Sequence, residues 1–308
     1  MEILQTVMEQ GLIYGILAVG VYITYRILNL ADLSVDGTFP LGAAVTAAWL
    51  VSKGGNPIVA CLLALIAGGL AGLVTGLLHV GLKINSLLSG ILVMMGLYSV
   101  NIRVMDNSAN VPLNSANIIF PRYGKSEIRI LIVLAFALLV KLGIDLFLKT
   151  KRGFILRAVG DNEQLVTSLA VNKNSVKVLG LVIANALVAL SGSIFAQSQG
   201  YSDAGMGTGM VVTGLAAVII GETILKISTM IWGKLSFIKA TTAVFLGAVL
   251  YQGAIALAMR IGMVQSDLKL VTAIIVALAL SLNGVSFKKL NLKSLVGGDN
   301  SASNKKSA

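Results

Sequence analysis

The chain has 308 residues, of which 56% are hydrophobic and only 12% are charged, and its mean hydropathy is +0.89. An average soluble domain is about 25% charged, and a folded soluble chain needs a mixed charged exterior that this composition cannot supply. A soluble enzyme, a disordered chain and a disulfide scaffold are therefore excluded. The composition predicts an integral membrane protein, provided that the apolar residues come in runs of about 20.

Apolar runs of this kind recur along almost the whole chain. They predict an all-α, polytopic membrane bundle of about nine spanning helices, with roughly eight to ten as the range. The span at 38–52 is short, and the span at 84–105 carries polar residues. The predicted spans lie near 8–28, 38–52, 56–80, 84–105, 129–149, 176–197, 209–226, 240–259 and 268–284.

The net charge of +11 would suit a nucleic-acid-binding protein, but the basic residues lie in a few loops between the apolar runs. They cluster within 149–177, 226–239 and 288–306. If each of the last four spans crosses once, these clusters share one side, which the positive-inside rule makes cytoplasmic. We therefore expect an external N-terminus, a cytoplasmic C-terminus, a lipid environment and no nucleic-acid partner.

Motifs for energy conversion and catalysis are missing from the sequence. The match to a phosphate-binding loop at 124–126 fails because Ile119 stands where the first glycine is required. His79 is the only histidine and has no carboxylate at ligand spacing, so we expect no metal, no cofactor and no catalytic triad. Charges within the spans are few. Lys141 and Asp145, four residues apart, predict a local ion pair.

Polar residues interrupt the apolar sequence at 32–37, and Pro40 follows. Proline disfavours helix immediately before it. A helix break at membrane depth is tolerated only beside protein or a water-filled cavity, and it often marks a substrate path. Two simpler interpretations stay open, a cytoplasmic turn in which Asp36 caps the next helix, and a surface acid at Glu222. The candidate translocation residues are Asp32, Ser34, Asp36, Gly37 and Glu222.

The basic segment at 150–176 contains a candidate docking helix. We expect Gly160 to break the chain, Asp161 to be the N-cap and Gln164 to complete a capping box. The helix, at about 162–170, carries a narrow apolar stripe that either the membrane surface or a cytoplasmic partner must cover. The candidate coupling residues are Arg157, Gly160, Asp161, Asn162, Glu163, Leu165, Val166 and Leu169.

Small residues also recur at helical spacing. Gly68, Gly72 and Gly76 follow one another every four residues, a pattern that allows membrane helices to approach closely. This pattern predicts tight packing and is silent on function. The membrane domain is expected to cover 1–285, and the polar, lysine-rich residues 286–308 are expected to form a disordered cytoplasmic tail.

Three blocks of sequence together resemble the permease subunits of bacterial ABC importers for branched-chain amino acids, ribose-type sugars and nucleosides. Residues 32–37 resemble the Asp-Leu-Ser-Val-Gly signature of the sugar-type members, with Asp36 as an insertion. Residues 157–163 resemble the cytoplasmic block that docks on the ATPase. The order and spacing are most similar to the branch associated with tryptophan/tyrosine-type binding lipoproteins. The later half is matched by 189–192, 207–209 and 218–223, with Glu222 where the family generally has glycine.

The resemblance implies a permease that is not an enzyme, with ATP bound by a separate cytoplasmic ABC ATPase docked on the helix at 160–170. It also implies a second permease subunit, forming a homodimer, and an extracytoplasmic substrate-binding lipoprotein, which the external loop 106–127 would contact. The protein would import an amino acid or related small solute across a bacterial cell membrane. A sugar or nucleoside permease, a stand-alone transporter or channel, and an assembly subunit stay open as alternatives.

Overall fold

The computed structural model describes residues 2–114, 116–120, 126–168, 171–232, 239–263, 267 and 270–277. Most of these residues are helical, including 270–277. π-Helical turns extend α1 over Tyr22–Ile27 and α2 over Ala48–Ser52, and the short strands β1 (Asn110–Pro112) and β2 (Tyr201–Asp203) pair antiparallel. The longer helices are α1 (Glu2–Val21), α2 (Val35–Ala47), α3 (Pro57–Val80), α4 (Ser86–Val104), α5 (Ser126–Phe147), α6 (Lys151–Asp161), α7 (Glu163–Ser168), α8 (Lys173–Gln199), α9 (Met210–Trp232) and α10 (Ala240–Arg260).

Seven helices within the described ranges are long and apolar enough to cross a membrane. They match seven of the predicted spans, which supports an all-α, multi-pass membrane fold. The short span predicted at 38–52 corresponds to α2 with its π-helical turn and is not among the seven. The span predicted at 268–284 and the tail at 286–308 lie mostly or wholly outside the described residues, so the count of nine stays a prediction.

Helix α8 is the centre of the bundle. In its most apolar window 78% of the residues are buried inside the protein, compared with 22% for α5. It packs against α1, α2 and α3. Because lipid tails are as apolar as leucine, helices in a membrane associate through close packing and hydrogen bonds rather than through the hydrophobic effect. The contacts of α8 with α2 and α3 show both kinds of association.

The contact between α3 and α8 is made through glycines. A β-carbon at Gly68 would collide with the backbone oxygen of Asn185, and one at Gly72 would collide with that of Leu181. One turn further along α3 the contact is looser, and a β-carbon at Gly76 would lie 3.1 Å from the Cα of Val178. The structure therefore places the three glycines where the two backbones come closest, because no larger residue leaves room for that approach.

At the end of the bundle that we expect to be external, contacts at two places join neighbouring segments. Leu113 N donates to Gly200 O over 2.8 Å, which joins the segment after β1 to the end of α8. Arg129 of α5 pairs with Glu9 of α1 at 2.8 Å and also donates to Ser198 O at 2.7 Å. Part of the loop predicted to contact a binding protein is thus ordered against α8.

At the opposite end, the predicted ion pair is present. Lys141 Nζ lies 3.1 Å from Asp145 Oδ2 on α5. The same carboxylate accepts from Thr241 Oγ1 at 2.6 Å, and Lys239 Nζ lies 3.4 Å away. Asp145 therefore joins α5 to the start of α10, which favours a structural role for the pair over a proton relay.

Candidate functional site

The helix break lies beside the middle of α8. Residues 28–34 separate the first π-helical turn from α2, and Asn29 has a φ of 54°, a left-handed conformation that asparagine tolerates. Where α2 begins, Thr38 Oγ1 donates to Asn185 Oδ1 over 2.8 Å. Because α8 is long enough to cross a membrane and Asn185 lies near its middle, this position favours a break at membrane depth over an ordinary cytoplasmic turn.

Asp32 is held in a buried hydrogen-bond network at this break. Its Oδ1 accepts from the backbone N of Ser34 at 2.9 Å and from Ser34 Oγ at 2.5 Å, and its Oδ2 accepts from Asn185 Nδ2 at 2.9 Å. Asp32 is 7% exposed, and Ser34 and Asn185 are fully buried. Both carboxylate oxygens have donors, which buried polar groups require. The network therefore fixes the unwound segment against α8.

Asn185 is a site residue that the sequence analysis missed. It lies inside the apolar span predicted at 176–197. A polar side chain in the middle of a membrane helix usually forms an interhelical hydrogen bond or marks a functional site, so its position was a usable signal. Its partner Asp32 lies 153 residues earlier in the chain, and no local pattern indicates that pairing.

Asp36 caps a helix, but not the one that contains it. Its Oδ1 accepts from Val211 N at 2.8 Å and its Oδ2 from Gly209 N at 3.0 Å. These amides belong to the first turn of α9, where backbone N–H groups lack helical partners and a negative charge is favourable. The N-cap of α2 is Ser34. The interpretation of Asp36 as the cap of its own helix is therefore wrong, and Asp36 ties α2 to α9.

A cavity of about 420 Å³ lies between the start of α2, one face of α4 and the segment that leads into α9. This volume is within the range of about 300–1,000 Å³ that is usual for small-molecule sites. Two of the predicted path residues, Asp36 and Gly37, line it. The other lining residues are Pro40, Met94, Met95, Tyr98, Asn101, Ala204, Gly205 and Thr208.

Glu222 lies apart from the other candidate path residues. Its Oε1 is 2.6 Å from Arg26 Nε, at the end of the first π-helical turn, and its side chain is 19% exposed. It lines a smaller pocket together with Tyr22 and Lys226. The structure thus brings Asp32, Ser34, Asp36 and Gly37 together at the start of α2 and places Glu222 in an ion pair elsewhere.

The segment predicted to dock a partner forms two short helices. Helix α6 continues through Gly160 to Asp161, so the predictions that Gly160 breaks the chain and that Asp161 is an N-cap are both wrong. Asn162 takes the capping position, because its Oδ1 accepts from Gln164 N at 3.0 Å ahead of α7. Leu169 and Ala170, and the side chain of Leu165, lie outside the described part of the chain.

Gly160 is required for a close contact rather than for a turn. A β-carbon there would collide with the carbonyl oxygen of Ile27 and lie against Leu28. Ile27 ends the π-helical turn and Leu28 begins the unwound segment that leads to Asp32. Helix α6 thus touches the chain a few residues before the buried network.

The solvent-facing side of this segment is on α6. Phe154 is 71% exposed, and Arg157 and Asp161, three and seven residues later, are exposed on the same face of the helix. Val166 in α7 is only 2% exposed, so the predicted exposed stripe does not include it. The exposed aromatic residue Phe154 was missed, although an aromatic residue among basic ones in a loop was a signal.

Glu163 ties α7 to the start of α8. It forms ion pairs with Lys177 and with Lys173, the latter at 3.1 Å. The hydrogen bond from the Lys177 ammonium is the main reason that the pKa of Glu163 is held below its usual range, and Lys173 adds to the effect. The carboxylate is therefore engaged within the chain and orients α7.

The sequence is similar to known proteins over most of its length. The family model described as branched-chain amino acid transport system / permease component matches residues 3–280. The chain belongs to this family. The resemblance carried by the three sequence blocks is confirmed, and the protein is a multi-pass permease component of an ABC transport system rather than an enzyme.

Named relatives agree with this assignment. The permease is 48% identical over 291 residues, 94% of each chain, to the tyrosine transport system permease protein of Clostridioides difficile (strain R20291). It is 34% identical, over 91% of its length and 98% of the relative's, to an uncharacterised protein of Rickettsia prowazekii (strain Madrid E). The autoinducer 2 import system permease protein LsrC of Yersinia pseudotuberculosis serotype O:3 (strain YPIII) is 27% identical over 67% of this chain and 58% of its own. No solved structure matches.

Membership of this family implies an ATPase and a substrate-binding protein as partners of the permease. The stand-alone transporter or channel and the assembly subunit, which the sequence left open, are therefore set aside. The family does not assign roles to single residues, and the roles of the predicted coupling and path residues stay proposals.

Proposed function

We propose that this permease imports an amino acid with an apolar or aromatic side chain, received from an extracytoplasmic binding lipoprotein and driven by a cytoplasmic ABC ATPase. The observation that carries the solute class is the 48% identity, over almost the whole of both chains, to a permease named for tyrosine transport. A sugar or nucleoside as the solute is less favoured, because the relative from an autoinducer 2 system is 27% identical over only part of its length.

The proposed orientation of the permease in the membrane rests on the distribution of its basic residues. The basic clusters at 149–177, 226–239 and 288–306 favour a cytoplasmic position for α6, α7 and the C-terminus. Import then moves the solute from the side of β1 and β2 to the side of α6. The segment around β1 is the proposed contact for the binding lipoprotein.

A second copy of the permease is proposed to pack against α4. Gly96 of this helix has open space where a β-carbon would lie, Tyr98 is 54% exposed, and Ser99 is exposed beside it. A glycine, a tyrosine and a serine facing outwards suit contact with another protein better than contact with lipid tails. The cavity beside α4 would then lie near the contact between the two copies.

The proposed coupling route runs from α6 to the buried network. The ATPase is proposed to dock on the exposed face of α6 formed by Phe154, Arg157 and Asp161. Because Gly160 lies against Ile27 and Leu28, a movement of α6 reaches residues 28–34. Those residues lead to Asp32 and its hydrogen bonds to α8. ATP-driven movement of the docked subunit would thereby change the position of the break.

Reconstitution tests the proposed function directly. The permease, its genomic-neighbour ATPase and its binding lipoprotein are placed in proteoliposomes, and uptake of radiolabelled L-tyrosine, ribose and uridine is measured with and without ATP. We expect ATP-dependent uptake of tyrosine alone. Uptake that needs no ATPase would contradict the importer mechanism, and ATP-dependent uptake of ribose or uridine alone would contradict the amino-acid assignment.

A pair of glycine variants tests the coupling route. Gly160→Ala adds a methyl group against the Ile27 carbonyl, whereas Gly143→Ala in α5 adds the same group where nothing lies within 4 Å. We expect Gly160→Ala to reduce solute-stimulated ATP hydrolysis and uptake at least about fivefold, because a clash of this kind costs roughly 1–3 kcal/mol unless the helices separate. Gly143→Ala is the control. Equal coupling in the two variants would remove Gly160 from the route.

A further inference from the structure

The side chains that line the cavity beside α2 give it a negative charge and an apolar wall. Its lining residues within the described chain include one acidic side chain, Asp36, and no basic one. The walls otherwise offer two methionines, Met94 and Met95, and the ring of Tyr98. Methionine side chains adapt their shape to apolar groups of different form. The cavity therefore combines an apolar wall with a negative charge at one end.

Asn101 adds a second acceptor to that end. Its side chain is fully buried, and its Nδ2 donates to the backbone oxygen of Gly37 over 3.1 Å. This donation fixes the orientation of the amide, because the opposite orientation would set two oxygens against each other. Its Oδ1 has no donor among the residues that the structure describes. A buried acceptor without a donor is costly and requires an explanation.

The backbone supplies a third acceptor at the same place. Pro40 has no N–H group, so it cannot donate to the carbonyl of Asp36 four residues earlier, as a helical residue normally would. Asp36 O lies beside Gly207, and Asp36 is one of the lining residues of the cavity. The carboxylate of Asp36 accepts amide hydrogen bonds from Gly209 and Val211, and Met210 N adds a third backbone donor. An ionised carboxylate has about four lone-pair sites, so it can accept one further hydrogen bond.

We propose that this cavity recognises the ammonium group of its solute, with the Asp36 carboxylate and Asn101 Oδ1 as acceptors and the Met94–Tyr98 face of α4 against the apolar body. Asn101 lines the cavity and its oxygen is covered in this conformation, so the proposal requires α4 to separate slightly from α2 when the solute binds. A solute carboxylate has no basic partner among the lining residues. The site thus selects for a primary amine rather than for a whole amino acid, which deepens the proposed function and rests on it for the choice of solute.

Direct binding tests this selectivity without the binding lipoprotein. The permease–ATPase complex in nanodiscs is titrated with radiolabelled L-tyrosine, tyramine, which keeps the ammonium group and lacks the carboxylate, and 3-(4-hydroxyphenyl)propionate, which does the reverse. We expect tyramine to bind at least as tightly as tyrosine, and the propionate to bind at least about tenfold more weakly, since hydrogen bonds to charged groups are the strong ones. Equal binding of tyramine and the propionate, or binding of none of the three, would overturn the proposal.

Two variants separate recognition by Asn101 from its contact with Gly37. Asn101→Leu removes both the oxygen and the donor, and Asn101→Asp keeps an oxygen acceptor while losing the donor to Gly37. We expect Asn101→Leu to weaken binding of tyrosine and tyramine about tenfold, and Asn101→Asp to keep or strengthen it. If both variants lose binding equally, Asn101 only supports Gly37. If Asn101→Leu does not fold, binding to Asn101→Asp and the comparison of the three ligands on the wild-type protein still test the proposed ammonium site.

A matched control and a second measurement complete the test. Thr75→Val removes a buried hydroxyl whose hydrogen bond, among the residues that the structure describes, goes to Ala71 O of its own helix at 3.1 Å, and it should leave binding unchanged. ATP-dependent uptake of tyrosine is measured in parallel. Ligand binding without ATP-dependent uptake contradicts the importer function and leaves the ammonium site standing, whereas uptake without the expected amine selectivity contradicts only the site.

Discussion

The contacts that α8 makes with α3 and with α2 share a close backbone approach at glycines and differ in the buried polar network that the contact with α2 adds. Against α3, glycines let the backbones approach until no atom can be added at Gly68 or Gly72. Against α2, Gly42 and Gly192 allow an equally close approach, with no room for a β-carbon beside Ala189 O or Phe39 O. Polar side chains add hydrogen bonds to this contact, from the Asp32 network to Thr46, whose Oγ1 lies 2.6 Å from Ser193 Oγ. Close backbone packing has one arrangement, whereas hydrogen bonds between side chains can be exchanged. The contact with α2 therefore combines a fixed backbone approach with a polar network whose hydrogen bonds can be exchanged.

The largest expected effect comes from filling the glycine contact. Gly72→Leu places a side chain on the backbone oxygen of Leu181, which cannot yield without separating two helices. We expect a loss of roughly 3 kcal/mol or more, at the upper end for overpacking, and little folded protein after size-exclusion chromatography in detergent. Gly143→Leu adds the same side chain in open space and should behave as wild type. A stable Gly72→Leu variant would mean that α3 is free to move.

A smaller effect on stability but a large one on transport is expected at the buried network. Asp32→Ala removes an acceptor that three donors share, and the Asn185 amide and the Ser34 hydroxyl keep Leu181 O and Asn185 Oδ1 as alternatives. The buried backbone N–H of Ser34 loses its acceptor, which costs about 1–3 kcal/mol. We expect uptake to fall at least about tenfold while the ATPase still co-purifies.

Asn185→Ala provides the complementary measurement for this network. The double variant Asp32→Ala with Asn185→Ala should be no worse than the more damaging single variant, because the two side chains belong to one network. Additive losses would show that Asp32 and Asn185 act separately, and unchanged uptake in Asp32→Ala would leave Asp32 as a residue of the break alone.

The smallest expected effect lies further along the polar contact. Thr46→Val keeps the shape of the side chain and removes its hydroxyl, which lies close to Ser193 Oγ and to Gly42 O. Interhelical hydrogen bonds inside membranes contribute about 0.6 kcal/mol on average, so the midpoint of thermal unfolding should fall by a few degrees at most, with uptake retained. A large loss would indicate that the polar contact is as fixed as the glycine contact, and it would remove the contrast between the two.

The sequence was sufficient to predict that α3 makes a close helix contact and that the helix is broken before α2, but not which helix either of them meets. Glycines four residues apart indicate a close helix contact, and a proline after polar residues indicates a break. The partner of each side chain is set by the tertiary fold instead. Asp32 meets Asn185 and Asp36 meets the first turn of α9, each more than 150 residues away.

The same distinction explains the error at Gly160. Glycine commonly ends helices, so the sequence favoured a break there. In the structure α6 passes through Gly160, and the small residue is needed because the carbonyl of Ile27 lies against it. A glycine can be required because a distant residue leaves no room for a side chain, or because its own backbone needs an unusual conformation. A single sequence does not distinguish the two cases.

The unwound residues 28–34 also give the chain an adjustable length. An extended residue advances about 3.3 Å and a helical residue 1.5 Å. Each residue of this segment that winds onto α2 therefore shortens the link between the π-helical turn and α2 by about 2 Å. A change of two residues in the helix start would move Asp36 and Gly37 along the bundle by about 4 Å, more than the width of a water molecule. In the proposed coupling route, residues 28–34 would thus convert a push on α6 into a displacement of the cavity wall.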